Sequence, residues 1–387
     1  MKINIIIFKI LFVLILFGCA SISFAQNVNR ENRKDFQKNR QRKILRIPDI
    51  QGYLTLKGDF HVHTVFSDGS VWPDFRVEEA WSEGLDAIAI TDHIEYRPHK
   101  AMLPDDLNSG YENAKTKAEQ LNILLIPGAE ITKGTPPGHL NVLFVKDVNK
   151  LISDDPMVQI KEAINQGAFI LWNHPGWGWA SPLPDTTKWW DFQTSLLEKG
   201  WLHGIEVFNT EEWYPIALKW CKEKELTVFA NSDIHTPINS WYDLSYPLNH
   251  RPMTLVFVNE RSIEGVREAL FAKRTIGYFG DTFVGNEELI KALFKTSVKL
   301  HPPFRHTSHD GIVTYYAEFE NSTDLTFILH KVDDWKKNDR TDIVELLPES
   351  KIIINYSEGQ NQLEYQLTNC YYDINKHPLI QIPILKN

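Results

Sequence analysis

One stretch decides how the fold is interpreted: Asp59-Phe60-His61-Val62-His63-Thr64-Val65-Phe66-Ser67-Asp68-Gly69. It closes an apolar, extended run that begins near residue 53, so His61 and His63 are predicted to point to the same side of a strand. Asp68 follows on a turn. Two imidazoles and a carboxylate that converge at a strand end suit a divalent cation such as zinc or manganese. A buried strand edge with one hydrogen-bonded histidine would explain this stretch equally well by itself.

The rest of the chain repeats this feature. From residue 53 onward, short apolar runs alternate with helical patterns, which is typical of βα units around a parallel sheet or barrel. Five of these runs end in a side chain of a metal-binding type: His61, His93, Glu130, His174 and Asp233. The strands of a parallel α/β barrel all end on one face, where active sites collect. The recurrence therefore favours a metal site over a structural histidine.

The same patterns predict individual elements of this region, which we bound at residues 49–285. Helices are predicted at 74–83, 109–122, near 156–166, at 212–224 and at 262–271. Strands are predicted at 86–91, 123–126, 140–145, 204–209 and 253–258. A proline at a helix start and a glycine after its end support the first helix, which lies between Pro73 and Gly84.

The composition changes after about residue 285. Apolar and polar residues alternate in runs separated by Gly, Asn, Asp and Pro, with little helical periodicity. Residues 286–387 are therefore predicted to form a small antiparallel β domain resembling a sandwich.

The amino terminus has the pattern of a secretion signal. Residues 1–25 combine Lys2 and Lys9, an apolar run from Leu11 to Phe17 and a small-residue cleavage site. We therefore expect export to the periplasm or the exterior, with no transmembrane segment once the signal is removed. A lipoprotein site at Cys19 is the second choice. Residues 26–48 are polar and basic and are predicted to be a flexible leader.

Charge and cysteine content restrict the partners. The formal net charge is −9, and an acidic protein has no broad electrostatic attraction to nucleic acid or to an anionic membrane. Cys221 and Cys370 are the only cysteines after residue 25. Because one pair makes no disulfide framework, the fold is expected to depend on its apolar core.

The motifs taken together resemble the PHP (polymerase and histidinol phosphatase) superfamily over residues 50–280. They are His61-Val62-His63 with Ser67-Asp68-Gly69, Thr91-Asp92-His93, Pro127-Gly128-Ala129-Glu130, Gly138-His139-Leu140, Asn173-His174-Pro175 and Ser232-Asp233-Ile234-His235. The resemblance implies a distorted (β/α)7 barrel that carries two or three divalent metal ions, of Mn, Zn or Fe, on its C-terminal face. It also implies a hydrolase that acts on phosphoesters.

The resemblance assigns nine ligands. The first metal would be bound by His61, His63, Glu130 and Asp233. The second would be bound by Asp68, His93 and His235, with Asp68 standing where some members have histidine. His139 and His174 would bind the third, with Glu130 bridging it to the first.

The predicted export, together with the motifs at residues 68–73 and 92–100, makes the chain resemble a secreted branch of this superfamily. That branch is similar to phosphodiesterases that act on organophosphate diesters, and we expect a small-molecule phosphate ester as the substrate. A hydroxide bridging two metal ions would attack phosphorus. A phosphomonoesterase of the same fold is the alternative. A nuclease, or a non-catalytic metal-loaded binding protein, is a weaker candidate.

Six further residues are candidates around the metals. Asp92, Arg97 and His99 are predicted to have catalytic roles, Asp92 by orienting a metal ligand. Lys100, Trp177 and Trp179 are predicted to contact the substrate, the tryptophans as an apolar wall. A solvated loop would explain Arg97, His99 and Lys100 equally well.

Overall fold

The computed structural model describes residues 41–178, 186–246, 248–332, 343–356 and 362–383. Seven α-helices lie in these ranges: α1 Pro73–Ser82, α2 Ser109–Leu121, α3 Pro156–Asn165, α4 Asp191–Glu198, α5 Pro215–Glu223, α6 Ile263–Phe271 and α7 Glu287–Ser297. None of the helices within these ranges combines the length and apolar character that crossing a bilayer requires.

The strands fall into two groups. The first eleven are β1 Leu54–Val62, β2 Ala87–Ile90, β3 Leu124–Thr132, β4 His139–Leu143, β5 Phe169–Trp172, β6 Gly204–Asn209, β7 Glu212–Trp213, β8 Thr227–Asn231, β9 Met253–Val258, β10 Thr275–Phe279 and β11 Thr282–Gly285. The remaining nine are β12 Val298–Leu300, β13 Phe304–Thr307, β14 Val313–Asn321, β15 Phe327–Lys331, β16 Ile343–Leu346, β17 Ser350–Tyr356, β18 Gln362–Leu367, β19 Cys370–Tyr371 and β20 Leu379–Pro383.

The first group, together with β19, forms one curled α/β sheet. Its order is β19-β11-β10-β9-β1-β2-β3-β4-β5-β6-β7, with β8 paired to β6. Strands β1, β2 and β3 are parallel, as are β5, β6 and β8, but β4 is antiparallel to both of its neighbours. The predicted α/β architecture is confirmed in this form. The count of seven β/α units is not confirmed.

The end of β8 returns to the end of β1. Val62 and Ile234 form a parallel bridge, the Asp233 amide donates to the His61 carbonyl at 2.8 Å, and the His63 amide donates to the Ile234 carbonyl at 3.1 Å. Segments that are far apart in sequence, one carrying His61 and His63 and the other carrying Asp233, therefore become neighbours.

Arg76 stabilises this junction from the buried side of α1, which begins at Pro73 in the first-turn position that proline tolerates. Its Nε donates to the His63 carbonyl at 2.9 Å, and its Nη atoms donate to the carbonyls of Ile234 at 3.0 Å and Thr236 at 2.8 Å. Glu79 balances the charge, with Oε2 at 2.7 Å from Nη1. One buried guanidinium thus satisfies three carbonyl groups where β1 and β8 meet.

Residues after 297 form the predicted antiparallel β region. One sheet has the order β12-β14-β13 with β17 beside β14, and the other has the order β16-β15-β18-β20. All of their pairings are antiparallel. β19 instead pairs with β11 of the curled sheet, and the rings of Phe283 and Phe327 stack 5.6 Å apart across the two parts. The β region is therefore attached to the curled sheet by a shared apolar core.

Two elements differ from the sequence prediction. The segment predicted as one helix over 212–224 begins with strand β7, and α5 starts only at Pro215, a residue well suited to the first helical turn. Helix α7 was missed altogether. Its signals were present, since Asn286 caps it by accepting the Glu288 and Leu289 amides and the buried face includes Leu289, Leu293 and Phe294.

The described part of the predicted leader makes defined contacts. Arg42 forms an ion pair with Asp86 at 3.1 Å, Arg46 pairs with Asp324 at 2.5 Å, and Leu45 is buried. The flexible leader predicted over 26–48 therefore does not extend to residues 42–46. Residues 1–40, with the predicted signal, lie outside the described residues. Cys221 and Cys370 are both free and buried.

We expect the substitution Arg76→Ala to lower the free energy of unfolding by about 3–5 kcal/mol, because it leaves Glu79 as a buried charge without its partner. Urea denaturation of the chelator-treated protein measures this loss. Lys115→Ala is the matched control, since Lys115 pairs with Glu112 at the same spacing on α2 but is half exposed, and it should cost about 1 kcal/mol or less. Equal losses for the two variants would contradict the role of Arg76 at the junction.

Candidate metal centre

The structure brings the nine predicted ligands together at one face of the curled sheet. His61 and His63 lie at the end of β1, His93 follows β2, and Glu130 lies near the end of β3, bridged to His93. The remaining ligands open β4, follow β5 or follow β8: His139, His174, Asp233 and His235. Asp68 comes from the turn after β1. The side chains of His61, His63 and Glu130 are fully buried.

Four side chains meet at the first group. His61 Nε2 lies 3.3 Å from Glu130 Oε2 and 3.1 Å from Asp233 Oδ1. His63 Nε2 lies 3.3 Å and 3.0 Å from the same two oxygens. Two imidazole nitrogens and two carboxylate oxygens thus face a common point, which is a donor set that suits a divalent transition metal.

Asp68 is the centre of the second group. Its Oδ1 lies 3.4 Å from His93 Nε2 and 3.2 Å from His235 Nε2. The ring of His63 stacks on that of His235 at 4.0 Å and lies 4.4 Å from that of His93. The potential ligand atoms of all four residues lie within 4.8 Å of one another.

Glu130 joins the first group to His139 and His174. His139 Nδ1 lies 2.5 Å from Glu130 Oε1, and His174 lies with its ring centroid 4.9 Å from that of His139. Glu130 forms one possible ligand group with His93 and His139 and another with His61 and His174. This arrangement fits a carboxylate that bridges neighbouring sites. It differs from the predicted third site in one respect, because His139 and His174 fall into two different ligand groups.

Several buried ligand atoms of the cluster have no hydrogen-bond partner among the described residues and could instead bind a cation. Of the buried side-chain nitrogen and oxygen atoms in the described ranges, His63 Nε2, Asp68 Oδ1 and Glu130 Oε1 are among those that make no hydrogen bond. Leaving such groups unpaired in the interior costs free energy, and a bound cation would satisfy them. The clusters are therefore compatible with divalent metal ions.

Electrostatics keep the acidic ligands ionised. Burial alone would raise the pKa of Glu130, but His93 and His139 hold that pKa well below its ordinary value. Burial also opposes ionisation of Asp233, yet His61 and His63 lower its pKa. Ionised carboxylates are the form that binds metals.

The pKa values of the imidazoles are shifted in both directions. Burial lowers the pKa of His93, but Glu130 and Asp68 overcome it and raise that pKa to about 10. Burial and His139 lower the pKa of His174 to about 4. A cluster of buried groups with pKa values displaced in opposite directions is typical of functional sites.

Two ligands have backbone conformations that side chains disfavour. His174 has φ of 22° and Asp233 has φ of 51°. Non-glycine residues in the left-handed region are strained, and such strain is concentrated at functional sites. We interpret both conformations as the cost of directing these side chains into the cluster.

Glu206 is a site residue that the sequence analysis missed. It is fully buried on β6, where its Oε1 lies 2.8 Å from His61 Nδ1. Its Oε2 accepts the His174 amide at 2.7 Å and Asn209 Nδ2 at 2.8 Å. A carboxylate on the far nitrogen of a ligating histidine fixes its tautomer and orientation. A glutamate within the apolar run of β6 was the available signal.

Asp92 acts on a ligand other than His93. Its carboxylate accepts the Thr64 amide and hydroxyl, both at 2.7 Å, and the Ser67 hydroxyl at 2.8 Å. The same hydroxyl lies 3.3 Å from His63 Nδ1. Asp92 therefore holds the turn after β1 and, through Ser67, the ring of His63.

The cationic residues after His93 do not line the cavity at the cluster. Arg97 donates to the carbonyls of Phe66 at 3.3 Å, Pro104 at 2.8 Å and Asp105 at 3.2 Å, so its guanidinium holds a loop. His99 and Lys100 are likewise absent from the lining of that cavity. These placements do not support the predicted roles of the three residues in catalysis or anion binding.

The cavity above the cluster has a volume of about 590 Å³. Trp177 lines it, with ring centroids 5.1 Å from His139 and 5.2 Å from His174. Its position fits the predicted substrate wall, whereas Trp179 lies outside the described residues. Tyr96 and Trp241, which the sequence analysis did not single out, also line the cavity.

Two family models match the chain: a PHP domain over residues 59–165 and an Ig-like domain over residues 303–383. Curated relatives match only in part. A 5'-3' exoribonuclease of Haemophilus influenzae is 32% identical over 79 residues, which is 20% of this chain and 24% of that protein. An uncharacterized protein of Methanocaldococcus jannaschii is 35% identical over 86 residues, or 21% and 36%. The chain thus spans a quarter to about a third of these relatives.

A solved structure from Bacteroides vulgatus matches over nearly the whole length. It is a two-domain protein containing a predicted PHP-like metal-dependent phosphoesterase, 41% identical, with a TM-score of 0.82, and the match covers 89% of this chain and 99% of that one. The likeness includes both the curled sheet and the β region. With its ligand motifs gathered at one face of that sheet, the chain belongs to the PHP family of metal-dependent phosphoesterases.

Proposed function

We propose that this protein is a phosphodiesterase that hydrolyses small organic phosphate diesters at the metal centre. The observation that carries the proposal is the charge of the cavity. Among its described lining residues there is no lysine or arginine, while Glu211 and Glu212 add acid groups beyond the ligands. The sequence of residues 179–185 also contains no lysine or arginine.

This charge distribution distinguishes the ester classes. A monoester carries about two negative charges at neutral pH, and a polynucleotide requires extended basic tracks. A diester carries a single negative charge, which bound cations at the cluster would balance. The acidic surroundings therefore favour a diester over a monoester or a nucleic acid.

The reaction we propose is a simple hydrolysis. A water oxygen forms a bond to phosphorus, the bond from phosphorus to one ester oxygen breaks, and the departing alcohol takes up a proton. Divalent ions would supply Lewis acidity and a lowered pKa of water when bound. The chain's own contribution is to hold the nine ligands in place, with Glu206 and Asp92 as positioning residues and Trp177 as an apolar wall.

Export is part of the proposal. It is supported by the signal-like pattern of residues 1–25, and either the periplasm or the exterior would bring the enzyme to esters from outside the cell. Fractionation of cells that express the full chain tests this. We expect the protein outside the cytoplasm, with a mass that corresponds to the loss of residues 1–25.

The substrate class is tested with bis(p-nitrophenyl) phosphate and p-nitrophenyl phosphate. We expect kcat/KM for the diester to exceed that for the monoester by about tenfold or more, because the acidic cavity repels a second negative charge. Asp233→Asn should abolish both activities and so show that they arise at this site. A preference for the monoester would contradict the proposal.

Metal binding has its own test. We expect the chelated protein to recover divalent metal and gain stability from Mn²⁺ or Zn²⁺, by about 2.7 kcal/mol at one hundred times the dissociation constant. The double variant His61→Ala/His63→Ala should show neither effect in elemental analysis and thermal unfolding. His306→Ala/His309→Ala, at exposed positions of the β region, is the control. Metal retained by the first variant would contradict the assignment.

Glu206→Gln tests a positioning residue. The amide keeps the size of the side chain but places a donor against groups that already donate, so we expect metal affinity to fall about 10–100-fold. Competition with a fluorescent chelator measures that affinity directly. Glu225→Gln, on an exposed side chain, should leave it unchanged. Unaltered affinity in Glu206→Gln would show that Glu206 does not position His61 for metal binding.

A further inference from the structure

Three large aromatic side chains are exposed at the mouth of the cavity. Tyr96, Trp177 and Trp241 are 55%, 38% and 53% exposed, and all three line the cavity. Exposed apolar side chains grouped at a cavity mark a surface for a ligand. Trp177 adjoins His139 and His174, and the Tyr96 ring lies 6.1 Å from that of His93. A group attached to a phosphate at the cluster would therefore meet aromatic faces.

The same mouth carries two carboxylates. Glu211 and Glu212 are exposed, with Glu211 on the turn between β6 and β7 and Glu212 at the start of β7. Glu211 accepts a hydrogen bond from Trp241 Nε1 at 2.9 Å, and Glu212 accepts one from the Tyr214 hydroxyl. Within the ranges that the structure describes, no lysine or arginine forms an ion pair with either residue.

The hydrogen bond from Trp241 ties the two features together. It fixes the indole of Trp241 beside the carboxylate of Glu211, so one chemical group of a bound substrate could contact both. Aromatic faces and carboxylates both attract ammonium groups, and quaternary ammonium ions are the ligands that aromatic cages recognise best. A negatively charged arm would instead be repelled, because no cation of the described lining would balance it.

We propose that the substrate is a phosphodiester with one ester arm that ends in an ammonium cation, which Trp241, Glu211 and Glu212 recognise. This inference rests on the proposed function and narrows its substrate class. The phosphate would lie at the cluster, and the cationic arm would lie at the mouth. In the hydrolysis, one water is consumed, the bond from phosphorus to one ester oxygen breaks, and a monoester and an alcohol are released.

Two chromogenic diesters that differ in one charge test the inference. They are p-nitrophenyl phosphorylcholine and p-nitrophenyl 3,3-dimethylbutyl phosphate, in which carbon replaces the quaternary nitrogen. For the metal-loaded, full-length enzyme we expect kcat/KM for the cationic ester to be roughly tenfold higher. Increasing salt should reduce that ratio, because the mouth is open to solvent.

The variant Glu211→Gln/Glu212→Gln should bring the ratio of the two kcat/KM values close to one. Glu198→Gln, an exposed glutamate of α4 away from the cavity, should keep the wild-type ratio. A ratio near one in the wild-type enzyme, with both esters hydrolysed, would overturn the inference and leave the phosphodiesterase proposal intact.

A binding measurement separates the two proposals if neither ester is hydrolysed. Calorimetric titration of the metal-loaded protein with phosphocholine and with 3,3-dimethylbutyl phosphate compares the same two arms without turnover. Tighter binding of phosphocholine, lost in the double variant, would support the ammonium site even if the hydrolysis proposal failed. Equal affinities would overturn it.

Discussion

The closure of β8 onto β1 is the constraint on which the site depends. Two backbone hydrogen bonds and the Val62–Ile234 bridge join these strands, and they place Asp233 beside His61 and His63. Earlier in β1, Asp59 accepts the Ser232 amide at 3.1 Å and an Arg251 Nη1 hydrogen bond at 3.0 Å. The candidate metal centre thus lies at a junction that two buried arginines stabilise, Arg76 through backbone carbonyls and Arg251 through Asp59.

Those buried charges are costly, and each is paired. Arg251 also donates to Glu83 from Nε at 3.0 Å, and the pKa of Arg251 is raised because Glu83 and Asp59 outweigh the effect of its burial. Buried ion pairs rarely add much net stability relative to apolar packing. In this protein they fix geometry instead, because the guanidinium groups donate to carbonyls and carboxylates of the strands and loops that carry the ligands.

The site separates two electrostatic tasks. Buried carboxylates and imidazoles at the cluster would bind cations, and the cations would balance one phosphate. The mouth is left acidic and aromatic, with no lysine or arginine among its described residues. Such an enzyme would select its substrate by the groups attached to the phosphate, since the acidic residues at the mouth would repel any additional negative charge.

The sequence by itself determined the α/β class and the β region after residue 297. Through the family that its motifs resemble, it also predicted nine metal ligands, whose side chains the structure brings together. The strands are local features, because apolar periodicity marks each of them, and the same pattern places a ligand-type residue at the end of five. Sequence reasoning failed where the signal was short or tertiary. It missed α7, and closeness to His93 in sequence did not reveal that Arg97, His99 and Lys100 are absent from the lining of the cavity.

Only the tertiary structure decided how the ligands combine and what surrounds them. Glu206 is far from His61 in sequence and becomes its partner only because β6 lies beside β8, which returns to β1. Trp241 and Glu211 likewise meet through a hydrogen bond between two loops. Contacts of this kind depend on strand order and closure, which no local pattern of residues encodes.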